Sequence, residues 1–399
     1  MPVYVNLKRG PTEAPSNVVK QSLKGFTHRL VSLGVAHDQF KELLAQPLPA
    51  LKHLDLAIAG EFPSVASLSP DNLCRLTRLR LELSPASVKM PGTGDGLMEL
   101  LQGCPLMEDV CFRYGVRGSD LDFTTNKAST RRVSLPCLRA FTHESPYEII
   151  PPDLFDRLSL PPTCGVHFTV HNQDFNLPWD HGFPTPRGLP YLSDIKTVKI
   201  LFDPDSRIIR VIFFDFNHKQ VSFNSGTSPE TPTDFVMATL SILDFLGRSD
   251  MVRSVQSLEV EGPPHSPKGC RGRLSGQRAL NFDNLKTLAI WQFSPILFLG
   301  HRFSPTIWDH VQDLEVFPPA CTQCLECRDS FLKGVRKIAV SRKESGDGRN
   351  PLKSLTLYLS KEDAEWYGRS DLSRVLSNCV ESVTVLCGDQ TSQQWLPYM

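Results

Sequence analysis

One spacing of apolar and polar residues returns along nearly the whole chain: apolar-x-x-apolar-x-apolar, with polar residues between. It occurs as Leu30/Leu33/Val35, Leu51/Leu54/Leu56, Leu76/Leu79/Leu81, Met107/Val110/Phe112, Leu138/Phe141/His143, Ile195/Val198/Ile200, Val255/Leu258/Val260, Leu285/Leu288/Ile290, Val311/Leu314/Val316, Leu352/Leu355/Leu357 and Val380/Val383/Val385. Chance alone would scatter roughly ten such triplets through a chain this rich in Leu, Val, Ile, Phe and Met, so the neighbouring residues must decide. From Leu51 onward the two positions after the first apolar residue are polar or charged, as in Lys52-His53, Thr77-Arg78, Glu108-Asp109 and Gln312-Asp313, and only Ala140 breaks the rule. Alternation over the last four positions is the period of a strand with one buried face. Pro49, Pro105, Pro136 and Pro351 stand just upstream of four copies, where a missing donor does no harm because pairing has not begun.

Between these strands the apolar spacing becomes helical. Phe40/Leu43/Leu44, Leu97/Leu100/Leu101, Leu154/Phe155/Leu158, Phe331/Leu332/Val335 and Leu372/Val375/Leu376 each put three residues on one helix face. The repeating unit is therefore strand, loop, helix, loop. Such a unit cannot bury its own apolar surfaces, and stacking neighbours encloses a continuous core. The expected fold is an α/β solenoid whose strands, each reached through a crossover helix, run parallel.

The expected organisation is a loosely held lead-in over residues 1–25, a single solenoid over 26–390 and a tail over 391–399. A weaker copy, Gly165/Phe168/Val170, closes the first run of repeats, and the proline-rich stretch 171–189 reads as a surface connection. Residues 207–216 and 219–223, joined across Asn217-His218, predict an antiparallel hairpin inserted within 203–230 in place of a helix. Thr231-Pro232-Thr233-Asp234 then opens a helix with Val236, Leu240 and Leu243 on one side. The stretches 262–277 and 341–350, rich in Gly, Pro, Ser and charge, read as loops.

The first repeats resemble leucine-rich repeats. Phrases such as Leu48-Pro49-Ala50-Leu51-Lys52-His53-Leu54-Asp55-Leu56, Cys104-Pro105-Leu106-Met107-Glu108-Asp109-Val110 and Leu135-Pro136-Cys137-Leu138-Arg139-Ala140-Phe141 are similar to the irregular repeats of fungal F-box proteins. The resemblance implies a leucine-rich-repeat-like solenoid, a curved parallel sheet with outer helices, that holds a protein substrate for a cullin-RING ubiquitin ligase. It covers the repeats alone. Ala57 and Ile58 stand where regular repeats carry an asparagine ladder, and residues 1–25 are too short and polar for the F-box helices that grip a Skp adaptor. The rival reading is a stand-alone repeat interaction protein with no ubiquitin role.

Composition narrows the partners. Lys+Arg and Asp+Glu both total 43, so no net field draws the chain to nucleic acid or an acidic membrane. The start shows no apolar leader and no long apolar run follows, which predicts an intracellular, cytoplasmic or nuclear protein. The 11 cysteines are odd in number, and Cys111 and Cys137 sit inside repeats, so reduced thiols are expected.

Candidate chemistry is sparse. Cys321, Cys324 and Cys327 have a spacing that could hold a metal with His310 as fourth ligand, but the residues between them lack the glycines of a metal knuckle, and loop thiols are the plainer reading. Gly92-Thr93-Gly94-Asp95-Gly96 superficially resembles a phosphate loop, yet no Lys-Ser or Lys-Thr follows and Asp95 would repel phosphate. His143 fills an apolar slot and reads as a core histidine, while His171 and Asp174 have no nucleophile to serve. No cofactor motif or catalytic set is found, so a non-enzymatic role is expected.

The remaining candidate is the sheet face turned away from the core. His53, Asp55, Arg78, Arg80, Asp109, Lys199, Glu259, Asp313 and Glu315 are the expected protein-binding residues, with Cys111, Thr197 and Ser257 on the same face. Parallel strands lie about 4.8 Å apart, which would set Asp55 beside Arg80 and Arg78 beside Asp109. These charges either satisfy one another or meet a partner.

Overall fold

The structure is a computed structural model that describes residues 1–7, 17–64, 67–88, 92–114, 132–145, 152–170, 194–203, 208–214, 220–225, 239, 242, 246, 253–262, 284–291, 310–317, 325–344, 352–389 and 394–397. In chain order its strands are β1 (Val3–Asn6), β2 (Leu30–Ala36), β3 (His53–Ile58), β4 (Arg78–Leu83), β5 (Asp109–Tyr114), β6 (Val133–Ser134), β7 (Ala140–Ser145), β8 (Leu158–Ser159) and β9 (Gly165–Val170). There follow β10 (Thr197–Asp203), β11 (Ile208–Phe214), β12 (Gln220–Ser225), β13 (Ser257–Glu261), β14 (Thr287–Trp291), β15 (Asp313–Val316), β16 (Leu352–Leu359), β17 (Val380–Asp389) and β18 (Gln394–Pro397). Every apolar triplet named above places its second and third residues on one of these strands. The fold is α/β, with a large and mostly parallel sheet and a small two-stranded one, β6-β8.

The chain divides into two compact units. The first comprises Met1–Gln173, Asp180–Tyr191 and Lys219–Gly226, and the second Asp174–Trp179, Leu192–His218 and Thr227–Met399.

In the first unit the strand order is β1-β2-β3-β4-β5-β7-β9-β12, with every pair parallel. The register is set by the apolar triplets. Leu33, Leu54, Leu79, Val110, Phe141 and Val166 stand side by side, and so do Val35, Leu56, Leu81, Phe112, His143 and Phe168. These residues are almost wholly buried. Phe112, Phe141, Phe155 and Phe168 meet edge to face at centroid distances of 5.2 to 5.5 Å, the favoured geometry for aromatic pairs.

Helices cover that face. His37–Leu44 buries Phe40, Leu43 and Leu44, and Thr93–Gln102 buries Leu97, Leu100 and Leu101, as their spacing predicted. Between repeats the backbone supplies its own ladder. The amides of Thr77 and Arg78 donate to the Lys52 carbonyl, those of Glu108 and Asp109 to Thr77, and those of Arg139 and Ala140 to Glu108. Because only main-chain atoms take part, no particular side chain is needed at that position, and Lys, Thr, Glu and Arg interchange there. Asn72 adds a local clamp: buried, it accepts from the Leu48 amide (2.6 Å) and donates to the carbonyls of Gln46 (2.9 Å) and Leu44 (3.2 Å).

In the second unit the order is β11-β10-β13-β14-β15-β16-β17-β18. The pairs from β10 to β17 are parallel, whereas β11 and β18 lie antiparallel to their neighbours β10 and β17. Val198, Leu258, Leu288, Leu314 and Leu355 form one core row, continued by the half-buried Val383; Ile200, Val260, Ile290, Val316 and Leu357 form the next, continued by the half-buried Val385. The same backbone ladder recurs through Lys196, Gln256, Lys286 and Gln312. Helices Leu325–Glu344, Lys361–Arg369 and Asp371–Cys379 contribute Leu332, Val335, Ala364, Leu372 and Leu376 to the core.

Several expectations need correction. The lead-in contains a strand and a helix: β1 pairs with β2, Asn17–Lys24 is helical, and the tail region contains β18. The sheet is not uniformly parallel, since β11 and β18 return directly after their partners without a crossover. The two expected hairpin strands form as read, β11 pairing also with β10 and β12 also with β9. Leu158 is not on a helix face, because the helix Pro152–Asp156 ends first and β8 pairs with β6. The weak copy is shifted by framing: Val166 and Phe168 are the core residues, and Gly165 stands on the opposite face beside Ala140. A Cβ on Gly165 would lie 3.3 Å from His167 Nε2, so the glycine makes room for that ring. Residues 341–344 extend a helix, held by Arg342, whose buried guanidinium donates to the Val311 carbonyl. The connection 171–189, residues 263–277 and the capping motif at 231–234 lie outside the described residues, although Thr239, Ile242 and Leu246 beyond that motif are helical and buried.

Candidate protein-binding face

Alternation along each strand turns every second residue away from the core, and parallel register gathers those residues into rows. Three rows cross each sheet.

In the first unit one row reads Ser32, His53, Arg78, Asp109, Ala140 and Gly165. The next reads Gly34, Asp55, Arg80, Cys111, Thr142, His167 and Ser222, and the third Ala36, Ala57, Glu82, Arg113, Glu144 and Thr169. Asp55 does stand beside Arg80 and Arg78 beside Asp109. Arg78 bonds Asp109 at 2.7 Å, while Arg80 and Arg113 reach Glu144 at 3.6 and 3.7 Å. Burial, reinforced by Glu144, pushes the Cys111 thiol up to about 11, so it is a protonated and inert group at neutral pH. His167 Nδ1 and Ser222 Oγ share a hydrogen bond of 2.7 Å. This face is a lattice of opposite charges engaged with one another.

The second unit differs. Its first row is Thr197, Ser257, Thr287, Asp313, Ser354 and Ser382; its second is Lys199, Glu259, Ala289, Glu315, Thr356 and Thr384. Lys199 bonds Glu259 at 2.5 Å, and the Ser354 hydroxyl donates to Asp313 at 2.6 Å. The third row is largely apolar: Leu201, Glu261, Trp291, Phe317, Tyr358 and Leu386. Trp291 stacks on Phe317 at 3.6 Å with planes 17° apart, and Phe317 on Tyr358 at 3.5 Å and 12°. Tyr358 donates its hydroxyl to Glu315 (3.2 Å), and burial together with that carboxylate pushes its phenol up to about 12. The Trp291 indole N–H is buried and has no acceptor among the described residues.

No protein-family model, no curated protein and no solved structure matches this chain.

The expected binding residues thus fall into two sets, His53, Asp55, Arg78, Arg80 and Asp109 in the first unit and Lys199, Glu259, Asp313 and Glu315 in the second. Trp291, Phe317, Tyr358 and Glu261 were not anticipated. Their signal was present in the sequence as aromatic residues one place beyond three successive triplets, at Leu285, Val311 and Leu352.

The other candidates resolve locally. Asp95 of the glycine-rich stretch lies 3.6 Å from Arg157, and the helix begins at Thr93 after Gly92 in the left-handed region at φ 77°. The stretch is a helix entry whose acid is engaged structurally. Of the cysteine cluster, Cys321 and Cys324 lie outside the described residues, and Cys327 falls in the Leu325–Glu344 helix. Among the described residues, no group of three or more His, Cys, Asp or Glu side chains is placed to hold a metal ion. His143 is wholly buried among core aromatics, and burial pushes its pKa down to about 3. No described helix is long and apolar enough to cross a membrane.

Proposed function

We propose that this chain is a non-catalytic protein-binding scaffold of leucine-rich-repeat-like architecture, comparable to the substrate-receiving part of an F-box component of a cullin-RING ubiquitin ligase. The observation that carries the reading is the stacked Trp291–Phe317–Tyr358 row on the sheet face opposite the core. The core rows of the second unit are already filled by Leu, Ile and Val, and on the opposite face Trp291 and Tyr358 are partly exposed with Phe317 buried between them. Aromatic residues set in a polar surround are what protein interfaces use as anchors, because they bring large area at small conformational cost. The first unit's face, by contrast, has its charges engaged internally and supplies surface of low net charge.

Affinity capture followed by mass spectrometry tests this with the wild-type chain and with Trp291→Leu and Tyr358→Leu. A partner specific to the wild type should weaken by about thirtyfold on either substitution, as expected for an interface anchor. Recovery of a Skp adaptor and cullin alongside the partner supports the ligase reading, and their absence leaves a stand-alone scaffold. Undiminished capture by both variants would remove the aromatic row from the interface.

A further inference from the structure

Resting on that reading, we infer that Glu261 and the face of Trp291 opposite Phe317 form a slot for an arginine side chain carried on an extended segment of the partner protein. The geometry follows from the stack. Trp291, Phe317 and Tyr358 occupy one row on successive strands with nearly parallel planes, so the ring normals run from strand to strand across the sheet. Phe317 covers one face of the indole. The opposite face is turned toward β13, where Glu261 stands at the same register.

Glu261 is poorly satisfied where it is. Its neighbours in the row are Leu201, which is apolar, and Trp291, whose indole N–H makes no hydrogen bond to it. Among the described residues it has no ion-pair or hydrogen-bond partner, since Lys199 is taken by Glu259. Burial and the adjacent Glu259 push its pKa up, and Lys199 offsets this only in part. Glu259 and Glu261 therefore share Lys199.

A planar guanidinium answers both demands. It stacks flat on an indole while its edge offers paired N–H donors to a carboxylate, whereas a lysine ammonium is a compact, strongly hydrated charge that cannot do both. An extended segment suits a row of side chains presented at even spacing along a sheet. The charge balance of the described rows points the same way, with Glu259, Glu261, Asp313 and Glu315 against Lys199 and Arg210.

The test uses the full chain with fluorescently labelled octa-arginine and octa-lysine peptides, read by fluorescence anisotropy at physiological salt. Octa-arginine should bind at least about fivefold more tightly than octa-lysine, and Glu261→Gln and Trp291→Leu should each weaken it by about tenfold. Glu261→Gln preserves shape, so it decides the matter even if Trp291→Leu fails to fold by circular dichroism. The inference is overturned if folded wild-type protein does not bind octa-arginine, if the two peptides bind equally, or if Glu261→Gln leaves binding unchanged. Partner capture that depends on Trp291 and Tyr358 without any arginine preference would sink the slot and leave the scaffold reading standing. Capture indifferent to both rings would sink the scaffold reading on this face, whatever the peptides do.

Discussion

His143 offers a sharp test of the packing. It occupies a core position between Phe112 and Phe168 in register, wholly buried, and its pKa is pushed down to about 3 by loss of solvent. In the unfolded chain the imidazole takes a proton near 6.5. A lowered folded pKa means that the native state resists protonation, so stability is fully present above pH 6.5 and is lost as pH falls from there toward 3. Between pH 7 and pH 5 the loss from this one group works out at about 2 kcal/mol. His143→Leu keeps the volume roughly and removes the titration. Urea unfolding followed by circular dichroism at pH 7, 6 and 5 should show the wild type losing that amount relative to the variant. His37, whose pKa burial also lowers against the opposing pull of Asp38, is present in both proteins and cancels in the difference. Parallel pH profiles for the two proteins would mean that His143 is not buried as a neutral core residue.

Three further outcomes are expected. Leu79→Ala, at a fully buried position between Leu54 and Val110, should cost about 2 to 5 kcal/mol in urea unfolding. Asn72→Ala removes the clamp on Leu48, Gln46 and Leu44 and should cost about 1 to 3 kcal/mol, since the buried Leu48 amide loses its partner and the Gln46 and Leu44 carbonyls each lose a donor, Leu44 keeping the Ser69 amide. Reversing Arg78 and Arg80 to Glu should change stability by about 1 kcal/mol or less per exposed ion pair and leave octa-arginine binding at the Glu261 slot unaltered; loss of that binding would mean that the arginines act on the slot.

The strands and their register were legible because each triplet fixes both a period and a face. A slip of one residue would expose every core leucine, so Leu54, Leu79 and Val110 could align in only one way. The helices at Phe40 and Leu97 were legible for the same reason. What escaped was decided by tertiary context. β1 and β18 are short edge strands of four residues each, too brief to show a period, and they form because a neighbouring strand offers unpaired backbone groups. Gly165 misled the framing because its role, making space for His167, concerns the opposite face. On the candidate face, Arg78 and Asp109 were visible as complementary charges. The aromatic row was overlooked because Trp291, Phe317 and Tyr358 stand just past the triplets that defined the repeat, where in the first unit the same row carries Glu82, Arg113 and Glu144.

Site-specific photo-cross-linking tests the central claim most directly. A photoreactive phenylalanine derivative is placed at Thr356, on the outward face beside Glu315, or at Lys333, exposed on the Leu325–Glu344 helix. Irradiation in the presence of the captured partner should give a covalent adduct from position 356 and none from 333. Adducts from the helix position alone would place the partner on the other side of the sheet and contradict the account.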